Sequence, residues 1–419
     1  MSGTLHVVGA GLAGLSAALH AQNQGRAVKL YEGAGQAGGR CRSYHDSRLD
    51  RVIDNGNHLV LTGNTSVQAY LALAGVPDAL EAAPAADFPF VDLATGERWV
   101  VRMNDGPLPW WPMAPARRPK GVGLGPMLRA GMILFAGPQH TISALCGGEG
   151  YAHTRFWEPM SMAVMNLPPD KASAKLMRAT AIEAWRDGRL ARPMFAPKGL
   201  GAALVEPALK ALEEKGTPAQ YGRLLRAVEQ QGERVTKLEF SRGDAVEIGA
   251  EDDVVLALPP HRLAGVLPEI EVPQDASSIL NAHFVVGAEN LPPDAPKILG
   301  TVSSMTQWIF VKGDVVSLTI SAAEYVEGSE DQEEALLARL WSETKQALGL
   351  ASGLAYEAGR LVREKRATFL QTPENAARRP KQTTPLQNLF LAGDFVDTGL
   401  PATIESAVRS GERAARLAA

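Results

Sequence analysis

At 419 residues and 45% hydrophobic side chains, the chain can fill a substantial core, as two domains or one interleaved body. Its formal net charge is −4, which excludes the broad basic footprint that a nucleic-acid partner requires. Two cysteines, Cys41 and Cys146, are too few for a disulfide framework and lack the spacing of a zinc site, so a reducing compartment is expected and a metal is not.

Leu5 to Val8 reads as a short buried strand, Leu12 to Gln24 as a helix rich in alanine and leucine, and Ala27 to Tyr31 as a second strand. Between the first strand and the helix stands Gly9-Ala10-Gly11-Leu12-Ala13-Gly14, a G-x-G-x-x-G placed where a dinucleotide fingerprint belongs. Gly9 permits the tight turn, Gly11 lets a pyrophosphate approach the backbone, and Gly14 lets the helix pack on the strand. The helix N-terminus then offers oriented N–H groups to the phosphate charge. Glu32 follows the second strand, where a carboxylate can accept hydrogen bonds from ribose hydroxyls. The fingerprint starts within ten residues of Met1, leaving no room for a cleavable leader and adding to the expectation of a cytoplasmic protein.

Gly38-Gly39-Arg40 comes next: two glycines permit another close backbone approach, and a guanidinium beside them can neutralise phosphate. Residues 62 to 195 read as helical and loop-like, with proline-rich breaks at 107 to 119 and at Pro168-Pro169. Within them, Met127 to Leu145 is the most apolar stretch, but Arg129, Pro138, Gln139 and His140 interrupt it, so it does not span a bilayer. Trp110, Trp111, Arg117, Arg118 and Lys120 lie just upstream, a mixture that suits a headgroup layer. Two readings stay open for this region: peripheral membrane contact, or a surface loop and a core helix.

Glu233 to Phe240, Ala245 to Gly249 and Val254 to Leu258 read as three short strands. Ala282 to Val286, Trp308 to Val311 and Val315 to Ile320 read as strands of a second sheet, followed by a helix over Glu333 to Leu348. The chain closes on a strand, Asn388 to Ala392, and a helix that starts at Pro401 and runs toward Leu417.

The run from Glu32 to Gly38-Gly39-Arg40, E-x5-G-G-R, resembles the flavin-containing amine oxidase superfamily, which includes amine oxidases, protoporphyrinogen oxidases and carotenoid desaturases. The resemblance implies FAD as cofactor. Many members carry a basic residue two positions after the acid, where this chain has Ala34. Leu389 to Asp394, L-F-L-A-G-D, is similar to the segment whose acid, here Asp394, hydrogen-bonds the ribityl chain of the flavin, with Gly393 before it a further cofactor-binding candidate. The stretch through Pro401, Ala402 and Thr403 would aim a helix N-terminus at the pyrimidine edge of the flavin and favour negative charge there. Val235 resembles the residue whose backbone contacts adenine. The implied fold is α/β: a Rossmann-like FAD-binding domain from 1–61, 196–260 and 361–419, with an inserted α+β substrate domain from 62–195 and 261–360.

Arg40 to Tyr44, Ile53-Asp54-Asn55-Gly56-Asn57-His58-Leu59, Gly63-Asn64, Trp157-Glu158-Pro159 and Gly399 to Glu405 together resemble the hydroxysqualene dehydroxylases, squalene-associated FAD-dependent enzymes of bacterial hopanoid synthesis. That resemblance spans the whole chain and implies reductive removal of an allylic hydroxyl from a long C30 isoprenoid alcohol. His58 is the expected acid for the departing hydroxyl, since histidine titrates near neutral pH; the simpler reading is a histidine bonded to its loop or to FAD. The resemblance also places Asn57 beside the cofactor, and Asp54 and Asn57 are expected to organise the loop. Trp157, Met160, Met162, Met165 and Leu167 are candidates for an apolar tunnel or for plain core. No second nucleotide fingerprint identifies the electron donor. Glu364 to Phe369 resembles a carotenoid desaturase segment, so a desaturase remains an alternative, as does a flavin-binding scaffold without catalysis.

Overall fold

The computed structural model describes residues 3–418, so residues 1, 2 and 419 of the expected first and last segments lie outside it. Strand Leu5–Val8 leads into helix Leu12–Asn23 and back through strand Val28–Tyr31. Gly25, at φ +81°, turns the chain out of the helix as only glycine does without strain.

These strands sit in a five-stranded, wholly parallel sheet in the order Ala219–Gln220, Val28–Tyr31, Leu5–Val8, Asp253–Leu256, Leu389–Leu391. Three stretches distant in sequence therefore build one sheet, as expected. Covered on both faces, its central strands are mostly apolar, as in Val254 to Leu256 and Leu389–Leu391. Helix Ile404–Leu417 closes it against helix Leu12–Asn23, with Ser16 Oγ donating to the Val408 carbonyl at 2.8 Å. A Cβ on Gly411 would lie 2.0 Å from the Ala13 carbonyl oxygen, so glycine sets how closely these helices approach.

The last helix begins at Ile404 and not at Pro401, because Thr403 is its N-cap: the backbone there is extended and its Oγ1 accepts from the Ser406 N–H at 3.2 Å. Pro401 and Ala402 belong to the preceding loop, where the Ala402 N–H donates to Gln371 Oε1 at 2.8 Å.

The second sheet has seven strands, in the order Ala358–Phe369, Ala276–Val285, Val315–Ser321, Trp308–Lys312, Ile298–Val302, Asp87–Asp92, Arg98–Arg102. All neighbours are antiparallel except Ile298–Val302 with Asp87–Asp92. The hairpin Asp87–Arg102 corrects the helical and loop-like reading of 62 to 195; Pro89 within its first strand masks the signal, while Thr95-Gly96 marks the turn, Gly96 at φ +72°. Strands Ile298–Val302 and Leu225–Gln231 were also not expected. The expected division at 360/361 falls inside strand Ala358–Phe369, which stays in this sheet to its end.

One face of the seven-stranded sheet is apolar. Leu280, Ala282, Phe284, Leu318 and Ile320 pack on Leu336, Leu337, Leu340 and Trp341 of helix Glu333–Leu348, each large side chain contributing roughly 2 kcal/mol. The other face carries Asn281, His283, Ser317 and Thr319 at the alternate positions, all buried. Asn281 Nδ2 and His283 Nε2 have no hydrogen-bond partner from the protein, a cost of roughly 1–3 kcal/mol each unless water reaches them.

Candidate flavin site

A cavity of about 850 Å³ runs between the two sheets. One end is made by the glycine turn. A Cβ on Gly9 (φ +107°) would lie 2.4 Å from the Ala257 carbonyl oxygen, and one on Gly14 only 1.8 Å from the Gly9 carbonyl oxygen. Both glycines are thus demanded by the protein's own packing. Gly11 differs: a Cβ there would meet nothing within 4 Å, so its open side is the cavity. Gly39 lies across from it, with a Cβ position 3.6 Å from Gly11 Cα, and Gly38 bends the chain at φ +100°. Backbone cradle and helix N-terminus together suit a diphosphate.

Glu32 is fixed by two backbone donors, Ala10 N–H to Oε2 and Ala34 N–H to Oε1, both 2.8 Å, and faces the cavity. Ala10 itself is buried behind the turn, while Leu12 and Ala13 line the cavity from the first turn of the helix. A carboxylate held this way beside a glycine cradle matches a ribose, which is the expected role.

In the middle of the cavity Arg40 donates to both oxygens of Asp394, at 2.8 and 2.7 Å, and to the Ala367 carbonyl at 2.5 Å. Burial disfavours the guanidinium charge, but the Asp394 carboxylate and its hydrogen bonds outweigh that, and the Arg40 pKa is raised. Arg40 and Asp394 thus hold each other, where the sequence assigned one to phosphate and the other to the ribityl chain. Gly393 donates its N–H to Ser410 Oγ at 2.8 Å and, like Pro401, Ala402 and Thr403, lines the cavity.

Asn57 and His58 enter from the loop after strand Arg51–Asp54. Asn57 Nδ2 donates to Thr319 Oγ1 at 3.0 Å and to the Leu318 carbonyl at 3.3 Å, pinning the loop to the second sheet. Asp54 accepts from Ser43 Oγ at 2.5 Å and from the Leu200 N–H at 2.8 Å, so it braces the same loop. Burial and then the nearby Arg40 charge lower the His58 pKa, with Asp54 opposing. His58 therefore holds a proton less readily than an ordinary histidine and is mostly neutral at pH 7.

Val235 is not brought to the cavity. It is buried, its N–H donates to Asn388 Oδ1 at 2.8 Å and its carbonyl accepts from Asn388 Nδ2 at 3.1 Å, so neither backbone group is free for an adenine. Arg223, Leu224 and Leu225 form the wall beside Glu32 and Gly33 instead. Their only sequence signal was a strand start that went unread.

Sequence reading also missed Glu183 and Trp185, which reach the cavity from a π-helical turn, Ala181–Trp185. Glu183 accepts from Arg409 at 2.9 and 2.8 Å, and Arg409 also donates to Glu405 at 2.9 Å. Glu405 in turn accepts the N–H groups of Ser66 and Val67, both 3.0 Å, at the start of helix Thr65–Leu73. Arg379 was missed too: buried without an acid partner, it donates to the carbonyls of Asp394, Phe395, Val396 and Leu400 and shapes the loop leading to Pro401. Burial lowers its pKa to about 10. The far end of the cavity is apolar, walled by Phe88, Met160, Val164, Trp185, Trp308 and Phe310.

A parallel nucleotide-binding sheet, a glycine cradle and a cavity enclosed against an antiparallel sheet define a flavoprotein oxidoreductase. The flavin-containing amine oxidoreductase family matches residues 12–419, and the chain belongs to it. Within that family, it is 39% identical over 418 residues to the hydroxysqualene dehydroxylase of Rhodopseudomonas palustris, covering 100% of this chain and 98% of that one. It is 39% identical over 419 residues to that of Sinorhizobium fredii (100% and 99%), and 38% identical over 416 residues to that of Zymomonas mobilis (99% and 98%).

Among solved structures, a variant of putrescine oxidase matches with a TM-score of 0.73 at 15% identity, covering 99% of both chains. Cyclohexylamine oxidase from Brevibacterium oxydans matches at 0.70 and 14%, covering 100% and 99%. These share the fold. The chain is an FAD-dependent oxidoreductase, and the open sides of Gly11 and Gly39 with the fixed Glu32 carboxylate fit that cofactor.

Proposed function

We propose that the chain removes the allylic hydroxyl of hydroxysqualene reductively, giving squalene. The observation that carries this is end-to-end identity of 38–39% with three relatives that bear the name hydroxysqualene dehydroxylase. The apolar far end of the cavity supports it, since a C30 hydrocarbon chain needs such a wall.

When bound and reduced, FAD supplies the hydride. The residues proposed to hold it are Gly9 to Gly14, Glu32, Gly38 to Arg40, Asn57, Gly393, Asp394 and Pro401 to Thr403. The helix beginning at Ile404 turns its N-terminus to the cavity and stabilises negative charge there. Phe88, Met160, Val164 and Trp185 exclude water from the alkyl chain, and His58 passes a proton to the departing oxygen. In this reading 1–61, 196–260 and 370–419 bind FAD, and 62–195 with 261–369, which keeps strand Ala358–Phe369 whole, bind substrate.

The substrate is insoluble in water, which favours peripheral contact with a bilayer. Among the described residues, eight of the 14 large hydrophobic side chains that stand exposed lie between Leu108 and Phe135, including Leu128, Leu134 and Phe135. Arg117 stacks on Trp110 at 4.7 Å, and Arg118 and Arg129 lie in the same segment, a cationic set that complements anionic headgroups. No helix among the described residues is long and apolar enough to cross a membrane.

The test is anaerobic: photoreduce the flavoprotein, add hydroxysqualene, and follow flavin reoxidation and the extracted lipid. Squalene equal to the flavin oxidised establishes the reaction. A flavin that stays reduced beside unchanged alcohol overturns it, and a product with added double bonds makes the chain a desaturase.

A further inference from the structure

The polar face of the seven-stranded sheet has a direction. At its inner end, Asn281 Oδ1 accepts from Thr319 Oγ1 at 3.0 Å and from Asn57 Nδ2 at 3.4 Å, and Asn57 and Thr319 line the cavity. Two residues along the strand, His283 Nδ1 meets Ser317 Oγ at 2.8 Å. His283 pairs in register with Arg360, whose Nε lies 3.3 Å from Asp46 Oδ2 in the hairpin that covers this face. Arg360 is 41% exposed, so the series ends at solvent.

Two atoms along this line lack a hydrogen-bond partner, Asn281 Nδ2 and His283 Nε2, and Arg360 Nε makes its ion pair with Asp46 without the alignment of a hydrogen bond. Side chains two apart on a strand are roughly 6.8 Å from each other, beyond the roughly 5.6 Å that one water spans with two hydrogen bonds, so a short chain of waters is needed to join them. At the inner end, a Cβ on Gly56 would sit 3.4 Å from His58 Nε2 and 3.8 Å from Asn281 Nδ2, so glycine keeps open the space the two share. Asn281 and Thr319 hold the Asn57 loop, but the donors left unpartnered at Asn281 Nδ2 and His283 Nε2 oppose folding unless water meets them.

We propose that this layer is a proton-supply path, in which waters held by the Arg360–Asp46 pair at the surface, by His283 with Ser317 and by Asn281 with Thr319 carry a proton to His58 at the cavity. The inference rests on the dehydroxylase reading, whose balance requires such a supply. The C–O bond breaks; the carbon takes a hydride with its electron pair from reduced FAD, leaving it oxidised. The oxygen takes one proton and departs as water. One proton must therefore enter a site walled by hydrocarbon in every turnover. Asp46, Asp54, Lys312 and Arg360 are the charged groups around His283, and burial keeps its ring neutral, the form that can accept at one nitrogen while donating at the other. Asn281 and His283 are positioning residues that act through His58.

Two variants test the path, with FAD content and melting temperature checked for each. Gly56→Ala fills the shared space at a backbone conformation that alanine adopts, and His283→Leu removes the relay, whereas His283→Gln keeps a polar side chain. Single-turnover reoxidation of the photoreduced enzyme by hydroxysqualene is expected to slow at least about tenfold in Gly56→Ala and His283→Leu, with a larger solvent isotope effect, unchanged KM and partial rescue in His283→Gln. Native rates in Gly56→Ala and His283→Leu overturn the path. A second readout needs no substrate: in ¹⁵N-histidine-labelled holoprotein, the His283 ring N–H is expected to exchange with water within seconds despite its burial. Protection for hours overturns the path. Rapid exchange in a protein that leaves hydroxysqualene untouched sinks the dehydroxylase reading and keeps the water route.

Discussion

Arg40 and Asp394 meet through two parallel hydrogen bonds of 2.8 and 2.7 Å, tying the second glycine turn to the loop before the last helix. The fork geometry is specific to a guanidinium and a carboxylate, so Arg40→Lys keeps the charge and loses the two-point contact. Both Arg40→Lys and Asp394→Ala are expected to fold and to hold FAD about tenfold more weakly, since a hydrogen bond to a charged group is worth about 1.5–3 kcal/mol. Flavin released on dilution, read by its fluorescence, checks this. Native retention in both would make the pair a surface-like contact without a role in the site.

Gly11 and Gly14 predict opposite failures. Gly14→Ala places a Cβ against the Gly9 carbonyl at a distance no atoms adopt, so it should lower the melting temperature of the protein with or without flavin. Gly11→Ala meets no protein atom, so the flavin-free protein should melt as the native one does while FAD affinity falls. A Gly11→Ala protein that binds FAD normally would move the diphosphate elsewhere.

The end of the site that sequence made legible is the end built from local chemistry. Gly9 to Gly14, Glu32 and Gly38 to Arg40 lie within forty residues, and their spacing alone encodes a turn, a cap and a close approach. The parallel sheet was legible for a related reason: strands buried on both faces, such as Val254 to Leu256, are apolar without interruption. Glu183, Arg379 and the His283–Ser317 pair were not legible, because their meaning depends on partners 15 to 226 residues away. Val235 misled because a buried strand residue looks the same whether its backbone faces a ligand or, as here, Asn388. The helix start shifted from Pro401 to Ile404 because proline suits the first turn of a helix but Thr403 is the residue that caps it.

Acid should destabilise the protein in a window set by its buried histidines. Burial lowers the His283 pKa from 6.5 to about 4, and His6, His58 and His261 are lowered for the same leading reason. Between these values the unfolded chain binds a proton that the folded chain refuses, so the stability each neutral ring contributes is complete above pH 6.5 and is lost as pH falls through the folded pKa. For His283 the loss is about 3 kcal/mol by pH 4. Urea midpoints should fall steadily from pH 7 to pH 4.5, and the fall should be shallower in His283→Leu. A midpoint independent of pH over that range would mean that these rings reach water in the folded state.

Leu128, Leu134 and Phe135 are 62%, 48% and 74% exposed, while Met127 and Ile133 are buried and anchor the segment in the core. Replacing the three exposed residues with serine should therefore leave the fold intact. Each buried CH₂ group contributes about 0.8 kcal/mol to insertion, so binding to vesicles containing anionic lipid should fall by well over tenfold. Co-sedimentation at low and high salt checks both parts, because the Arg117, Arg118 and Arg129 contribution should weaken with salt and the apolar one should not. Equal sedimentation of native and serine-substituted protein removes this face from membrane contact.

His58 carries the sharpest prediction about chemistry. Its lowered pKa leaves few imidazolium rings at pH 7, so a proton-donating His58 makes the single-turnover rate rise as pH falls below 6.5 toward that pKa. The rise opposes the loss of stability over the same window, and millisecond mixing from pH 7.5 separates the two, since unfolding is slower than one turnover. His58→Gln should retain FAD, react at least about a hundredfold more slowly, and lose the acid rise. Native rates at every pH in the His58→Gln protein would assign the proton to another group and leave His58 as a structural contact of its loop.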